Sequence, residues 1–144
     1  MLSRVEKFEV ALKQTECDAV LVTNLKNIYY LTGFSGTEAT VFISKTRRIF
    51  LTDSRYTLIA KGVVKGFDII ETRDALGEIA KIIRDDKLEK IGFDDQVSYA
   101  YFKMLKSVFA AYELIPMSSF IENLRMIKDA EEIDTIRKAC QISD

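Results

Sequence analysis

The chain has 144 residues, of which 48% are hydrophobic, and its 21 basic and 22 acidic side chains give a net charge of −1. This length predicts one domain with one main core. The balanced charge gives no electrostatic reason to expect a nucleic acid or a membrane surface as partner. No apolar run approaches the roughly 20 residues that span a bilayer, so we also expect no membrane insertion.

Histidine is absent, and the only cysteines are Cys17 and Cys140. The absence of histidine excludes imidazole bases, histidine-containing triads and the common zinc sites from this chain. Residues Met1–Glu6 favour the start of an amphipathic helix over a signal peptide. Two cysteines far apart in sequence, without a secretory signal, predict buried, unreactive thiols and a cytoplasmic location.

Helical and strand patterns alternate along the chain. Helix starts are expected at the capping residues Ser3, Asn24, Asp74 and Ser98, and Gly33 is expected to end the second helix. The predicted elements, in chain order, are a helix at 3–16, a strand at 18–23, a helix at 24–31, strands Thr40–Ser44 and Arg48–Thr52, a helix at 54–64, a strand at 67–71, a helix after Asp74, a strand at Lys90–Phe93, a helix after Ser98 and a strand at Tyr112–Ile115. This alternation predicts an α/β fold, with a mixed sheet of about six strands and helices on both faces.

The C-terminal part has its own pattern. Pro116 is expected to end the last strand, and capping boxes at Ser119 and Asp129 are expected to begin two more helices. The last of these helices shows no stop signal, so we expect the sequence to be a fragment of a longer protein. Its apolar stripe is formed by Ile133, Ile136 and Cys140.

Two loops flank the predicted hairpin, at Thr32–Gly36 and Thr52–Tyr56. A hairpin returns the chain to its starting point, so both loops are expected at the same end of the sheet. The turn between the strands, at Lys45-Thr46-Arg47, is expected to be solvated at the opposite end. The candidate contact residues are Gly33, Phe34, Ser35, Gly36, Asp53, Arg55 and Tyr56.

Each candidate has a structural alternative. Gly33 and Gly36 are explained at least as well by the backbone conformation of a turn as by a loop that closely approaches a ligand or a neighbouring subunit. Phe34 fits a core position or an interface anchor equally well. Asp53 is expected to cap the following helix, and Arg55 either forms an ion pair with it or contacts substrate or a neighbouring domain.

Other conspicuous side chains are expected to be structural. Tyr29 and Tyr30 are expected to be half-buried packing residues. The pairs Asp85-Asp86 and Asp94-Asp95 are expected to cap helices or face water, because an oxygen-lined cation site needs more ligands than two. We therefore predict no metal site and no catalytic residue in this chain.

Three segments, at 27–36, 51–56 and 121–133, together resemble the N-terminal domain of the creatinase, prolidase and aminopeptidase P family. The resemblance implies a mixed six-stranded sheet, followed in the longer protein by a pita-bread metallopeptidase domain. That catalytic domain would bind two divalent metal ions (manganese, cobalt or zinc) through aspartate, histidine and glutamate ligands. It implies a domain at 1–125, then at 126–144 a linker and the truncated start of the first catalytic-domain helix.

The resemblance also implies a function: a non-catalytic N-terminal domain of a metal-dependent Xaa-Pro dipeptidase or aminopeptidase, controlling active-site access and oligomerisation. Its expected partners are the missing C-terminal catalytic domain, a second copy in a homodimer, and a proline-containing peptide substrate. One alternative is a non-catalytic protein-binding module of the same fold, and another is a creatine-type amidinohydrolase. Glu38-Ala39 and Ile59 depart from the family pattern and leave the substrate class open.

Overall fold

A computed structural model describes residues 1–143, which form one six-stranded sheet and the helices packed around it. The elements in chain order are α1 Arg4–Lys13, β1 Ala19–Val22, α2 Leu25–Thr32, β2 Thr40–Ser44, β3 Arg48–Thr52, α3 Thr57–Val63, β4 Asp68–Glu71, α4 Ala75–Asp85, β5 Lys90–Phe93, α5 Tyr99–Val108, β6 Glu113–Pro116, α6 Phe120–Met126 and α7 Ala130–Ser143. No helix among these residues has the length and apolar composition needed to cross a membrane.

The sheet is mixed, with strand order β4-β3-β2-β1-β5-β6. β2 pairs antiparallel with both β1 and β3, and the three remaining neighbouring pairs are parallel. The prediction of a mixed α/β sheet with six strands is confirmed. The two hairpin strands have the predicted bounds, and Val41 lies opposite Phe50 within them.

The central strand β1 is buried on both sides, and its side chains alternate between two cores. Ala19 and Leu21 face the core formed with α4 and α5. Val20 and Val22 face the larger core formed with α1, α2, α3 and α6. The predicted helices on both faces are therefore present, and the nearly continuous apolar run of β1 is explained by the two layers.

Most predicted helix caps are present. The Ser3 hydroxyl accepts from the Glu6 backbone N–H at 3.2 Å, and the side chains of Asn24, Asp74 and Ser98 accept similarly at their helices. Gly33 ends α2 in the left-handed region, with φ 78°, where glycine avoids the clash of a Cβ atom.

Two predicted helix starts, those of α3 and α6, differ from the structure. α3 begins at Thr57 and not at Ser54, because the preceding residues form a turn stabilised by Asp53. Pro116 ends the last strand as predicted, although it is itself the last residue of β6, an edge strand on which a missing N–H donor is tolerated. Ser119 has φ 58° and makes no side-chain cap, so the predicted capping box of α6 does not form.

The hairpin turn is not merely solvated, as the sequence suggested. Arg47 forms a two-bond ion pair with Asp86 at 2.6 and 2.8 Å. Arg48, at the start of β3, binds Glu9 of α1 at 2.6 Å. These pairs tie the hairpin to the helices on the two faces of the sheet.

Three side chains differ in burial from what the sequence predicted. Cys17 is buried as expected, but Cys140 is exposed, because α7 contributes no buried side chain. Tyr30 is fully in the core, whereas Tyr29 is 55% exposed, because Tyr29 lies outside the buried face of α2. The prediction that both tyrosines are half-buried is therefore wrong.

The last helix begins as predicted. The Asp129 carboxylate accepts from the Glu132 N–H at 2.9 Å, and the Glu132 carboxylate accepts from the Asp129 N–H at 3.0 Å. These reciprocal bonds form a capping box. One turn further, Asp134 and Lys138 form the i,i+4 ion pair at 3.0 Å.

Asp94, which follows β5, forms hydrogen bonds with the backbone at the start of α2. Its Oδ2 atom accepts from the backbone N–H groups of Thr23 and Asn24, at 2.9 and 3.0 Å. Burial raises the pKa of the Asp94 carboxyl, although these two N–H groups act in the opposite direction. The carboxylate is thus a structural acceptor, held in an environment that disfavours its charge.

We expect Asp94→Asn to keep both backbone bonds, because a single carbonyl oxygen accepts them, and Asp94→Ala to cost about 1–3 kcal/mol by leaving two N–H groups unpaired. The raised pKa has a second consequence. The folded state binds the Asp94 proton more tightly than the unfolded chain does. The contribution of this proton to the free energy of unfolding is therefore largest below the ordinary aspartate pKa, and it is lost as the pH rises through the raised pKa of Asp94.

Urea titrations of the wild type and both variants across this pH range check the prediction. The free-energy difference between the wild type and Asp94→Asn isolates the titration of residue 94 from that of the other carboxylates. A pH-independent difference would contradict it.

Candidate functional site

The two loops that flank the hairpin lie together at one end of the sheet. The Thr37 hydroxyl is 2.7 Å from the Tyr56 hydroxyl, and the rings of Phe34 and Tyr56 meet edge to face at 5.6 Å between centroids. This is also the end at which β1, β3, β4, β5 and β6 finish, because these five strands run parallel to one another. The candidate residues therefore lie at one end of the sheet.

Phe34 is a core residue. Its side chain is 2% exposed and packs between Tyr56 and Phe50, whose ring centroid is 5.0 Å away. The alternative of a free interface anchor is therefore wrong for the Phe34 ring. Its burial fixes the first loop onto the hairpin.

Position 36 requires glycine, because the backbone there lies close to the rings of Phe34 and Tyr56. A Cβ atom at this position would lie 2.4 Å from Cζ of Phe34 and 3.0 Å from Cδ1 of Tyr56. No side chain fits without a shift of the loop. Ser35, the residue before it, is exposed at the surface.

Asp53 and Arg55 form the ion pair that the sequence left open. The Asp53 carboxylate accepts from the Arg55 backbone N–H at 3.0 Å and from its guanidinium at 2.7 Å. The carboxylate therefore does not cap α3, which corrects the prediction. The Arg55 guanidinium holds the pKa of Asp53 below its usual range.

Arg55 remains available for a further partner. Its side chain is 65% exposed, and its guanidinium lies over the Tyr56 ring at 5.3 Å from the centroid. The N–H groups that do not bind Asp53 donate to no acceptor within residues 1–143. The planar fork is thus oriented by Asp53 and Tyr56 while it keeps donors free for a carboxylate.

A cavity of about 400 Å³ lies beside this pair, between the ends of β3 and β4. Arg73 and Glu38 line this cavity together with Arg55, and neither is among the contact residues predicted from the sequence. Arg73 follows β4, which pairs in parallel with β3. Knowledge of this pairing would have predicted that Arg73 lies near Arg55.

A larger cavity, of about 640 Å³, lies on the other side of the first loop. Its walls are α2 with the Ser35–Thr37 segment on one side and the first turns of α7 on the other. Tyr29 and Ile136 are exposed apolar side chains in these walls. No local sequence pattern predicts this cavity, because it depends on where α7 lies.

The site offers binding groups and no nucleophile paired with a base. Burial raises the pKa of Tyr101, a half-buried phenol of α5, to about 12, and the charges of Glu38 and Asp94 add to the shift. Its hydroxyl therefore stays protonated at neutral pH. Within residues 1–143, no three carboxylate or thiol side chains come together to bind a metal ion, so the two metal ions implied by the resemblance find no ligand set here.

Comparison with known proteins agrees with the fold. The family model of the creatinase/prolidase N-terminal domain matches residues 4–127. The structure of an Xaa-Pro aminopeptidase (aminopeptidase P) from Streptococcus thermophilus is 59% identical, with a TM-score of 0.83 over 85% of this chain and 95% of that chain.

Two curated relatives are longer than this chain. An uncharacterized peptidase, YqhT, of Bacillus subtilis is 34% identical over 98% of this chain and 40% of its own length. An Xaa-Pro dipeptidase of Pyrococcus furiosus is 27% identical over the whole chain and 40% of its own length. The chain thus spans about 40% of the length of these relatives. Because the family model covers nearly all of the described sheet and its helices, the chain belongs to the creatinase/prolidase N-terminal domain family.

Proposed function

We propose that this chain is the non-catalytic N-terminal domain of a metal-dependent Xaa-Pro peptidase. The observation that supports this most is the match of residues 4–127 to the creatinase/prolidase N-terminal domain family. An Xaa-Pro dipeptidase that is similar over the whole chain is longer, because the chain covers 40% of its length. Under this proposal residues 1–125 form the domain, and residues 126–144 are the linker and the beginning of the first helix of the catalytic domain.

The catalytic domain would supply the two divalent metal ions, which activate water for attack on the Xaa-Pro amide. The contribution of this chain is binding and shape. Arg55, oriented by Asp53, presents free guanidinium donors that suit a carboxylate of the peptide substrate or of the facing domain. The Gly33–Gly36 loop, fixed by Phe34, limits the width of the approach to that site.

We further propose that the protein works in the cytoplasm as a homodimer. Cys17 is a buried free thiol and Cys140 an exposed one, which suits a reducing compartment. Ile133 and Ile136 are 40% and 50% exposed on α7, and such an apolar stripe suits a helix that packs against another polypeptide.

The first prediction concerns activity. The 144-residue chain, supplied with manganese or cobalt, should not hydrolyse Xaa-Pro dipeptides or longer peptides with proline in the second position, because it offers no metal-ligand cluster within its described residues. The full-length protein should hydrolyse at least one of the two, and the preferred length distinguishes dipeptidase from aminopeptidase. A full-length protein that binds metal but turns over neither would favour the protein-binding alternative.

The second prediction concerns Arg55. In the full-length protein, Arg55→Ala should lower kcat/KM by about ten-fold or more, because a fork of charged donors is lost at the substrate approach. Little stability should be lost, since the Arg55 side chain is 65% exposed to solvent.

Arg47→Ala is its matched control. It removes a comparable two-bond arginine–aspartate pair at the opposite end of the hairpin. Parallel thermal melts and steady-state kinetics compare the two variants. Equal kinetics for both would mean that Arg55 is purely structural.

The third prediction concerns the first loop. Gly36→Ala should destabilise the domain by about 1–3 kcal/mol, because the new methyl group overlaps the Phe34 ring and the loop must move. Gly62→Ala is the control, because its Cβ meets nothing within 4 Å on the helix α3. It should raise stability by about 0.5–1 kcal/mol through helix propensity. Urea unfolding checks both signs, and a neutral Gly36→Ala would contradict the close packing described here.

A further inference from the structure

The attachment of α7 depends on one arginine. α7 has no buried side chain, so apolar packing contributes little to its position. At its first turn, however, Arg4 of α1 reaches across to the capping box. The Arg4 guanidinium lies 2.8 Å (Nε) and 2.7 Å (Nη2) from Oδ2 of Asp129, and 3.2 Å from Oε1 of Glu132.

Arg4 is itself fixed by α2. Its Nη1 atom donates to the Tyr30 carbonyl at 3.1 Å, and its guanidinium lies over the buried Tyr30 ring at 4.8 Å. The Tyr30 hydroxyl in turn donates to the carbonyl of Leu124 in α6. One guanidinium therefore connects α1 and α2 to α7, while Tyr30 connects the same site to α6.

Contacts with two different residues at the start of α7 restrict the direction of this helix as well as its position. Asp129 precedes the helix and Glu132 lies in its first turn, so binding both limits rotation of the helix about its start. The planar fork of arginine suits this arrangement, because its donors point in fixed directions. The bond from the Glu132 N–H uses the other oxygen of Asp129, so the cap and the arginine do not compete.

The same contacts shape the larger cavity. Arg4 lies in its wall, with Tyr29 and Gly36 on the α2 side and Ile136 on the α7 side. We propose that Arg4 is a positioning residue, which sets the direction of α7 and with it the width of this cavity beside the Gly33–Gly36 loop. The consequence for catalysis rests on the proposed function: in the longer protein, Arg4 would set how the two loops face the domain that follows α7.

The chain offers a direct spectroscopic test. Cys140 is an exposed thiol on α7, whereas Cys17 is fully buried, so a nitroxide reagent labels Cys140 selectively. A second label at Lys106→Cys, on an exposed position of α5, gives a distance across the sheet. We expect the distance distribution to broaden at least two-fold in Arg4→Ala, and the amides of α7 to exchange about ten-fold faster, while those of β1–β3 keep their rates.

Three further variants make the test specific. Arg48→Ala removes a similar half-buried ion pair, between β3 and Glu9 of α1, and should leave the distribution unchanged. Asp129→Asn keeps an oxygen to cap α7 but loses the acceptor for Arg4, so it should broaden the distance distribution as Arg4→Ala does. It therefore tests the same contact even if Arg4→Ala folds poorly. Arg4→Lys should restore only part of the narrow distribution. An unchanged distribution in Asp129→Asn and Arg4→Ala, or equal broadening in Arg48→Ala, would overturn the proposal.

The effect of Arg4 on catalysis is measured in the full-length protein. Arg4→Ala should lower kcat/KM several-fold with normal metal content, whereas Arg48→Ala should not. If the full-length wild type has no peptidase activity, the proposed function fails, and the distance measurement still decides whether Arg4 positions α7. Equal kcat/KM in an active wild type and Arg4→Ala would overturn the catalytic consequence.

Discussion

The structure depends on the burial of β1 on both of its faces. Alternate side chains of this short strand enter two separate cores, so helices must cover the sheet on each side. The hairpin β2–β3 pairs along β1, and β5 pairs along its other edge, which brings four strand ends to one side of the domain. Every candidate binding residue follows or precedes one of these ends, so the geometry of the site is set by the central strand.

Three aromatic rings in contact connect the buried strands to the surface. Phe50 lies in β3, Phe34 packs on it, and Tyr56 packs on Phe34 and supports the Arg55 guanidinium. The exposed arginine is thus connected to the core through three rings. Such support restricts a charged side chain that would otherwise sample many rotamers, which lowers the entropy lost when it binds a partner.

The sequence predicted the fold well because its signals are local. The hairpin, the buried strands and the caps at Ser3, Asn24, Asp74 and Ser98 each depend on residues within one element. The errors arose where a side chain had two local options. Asp53 bound the neighbouring Arg55 instead of capping a helix, and Ser119 adopted a left-handed conformation.

The candidate site was only partly predictable. The hairpin argument brings its two loops together from the sequence alone. The contribution of Arg73 depends on the pairing of β3 with β4. The cavity beside α7 depends on the position of that helix, and Asp129 at its start contacts Arg4, which is 125 residues away in the sequence. Neither is encoded in a local pattern. Long-range contacts of this kind are outside the reach of periodicity and capping rules.

The composition of the two outer strands has a consequence for assembly. β6 ends in Pro116, which lacks an N–H donor, and begins with the exposed Glu113, while β4 is flanked by the exposed acids Asp68 and Glu71. Proline and charge on edge strands discourage the addition of a strand from another molecule. The sheet is therefore protected at both margins against growth into a continuous intermolecular ribbon.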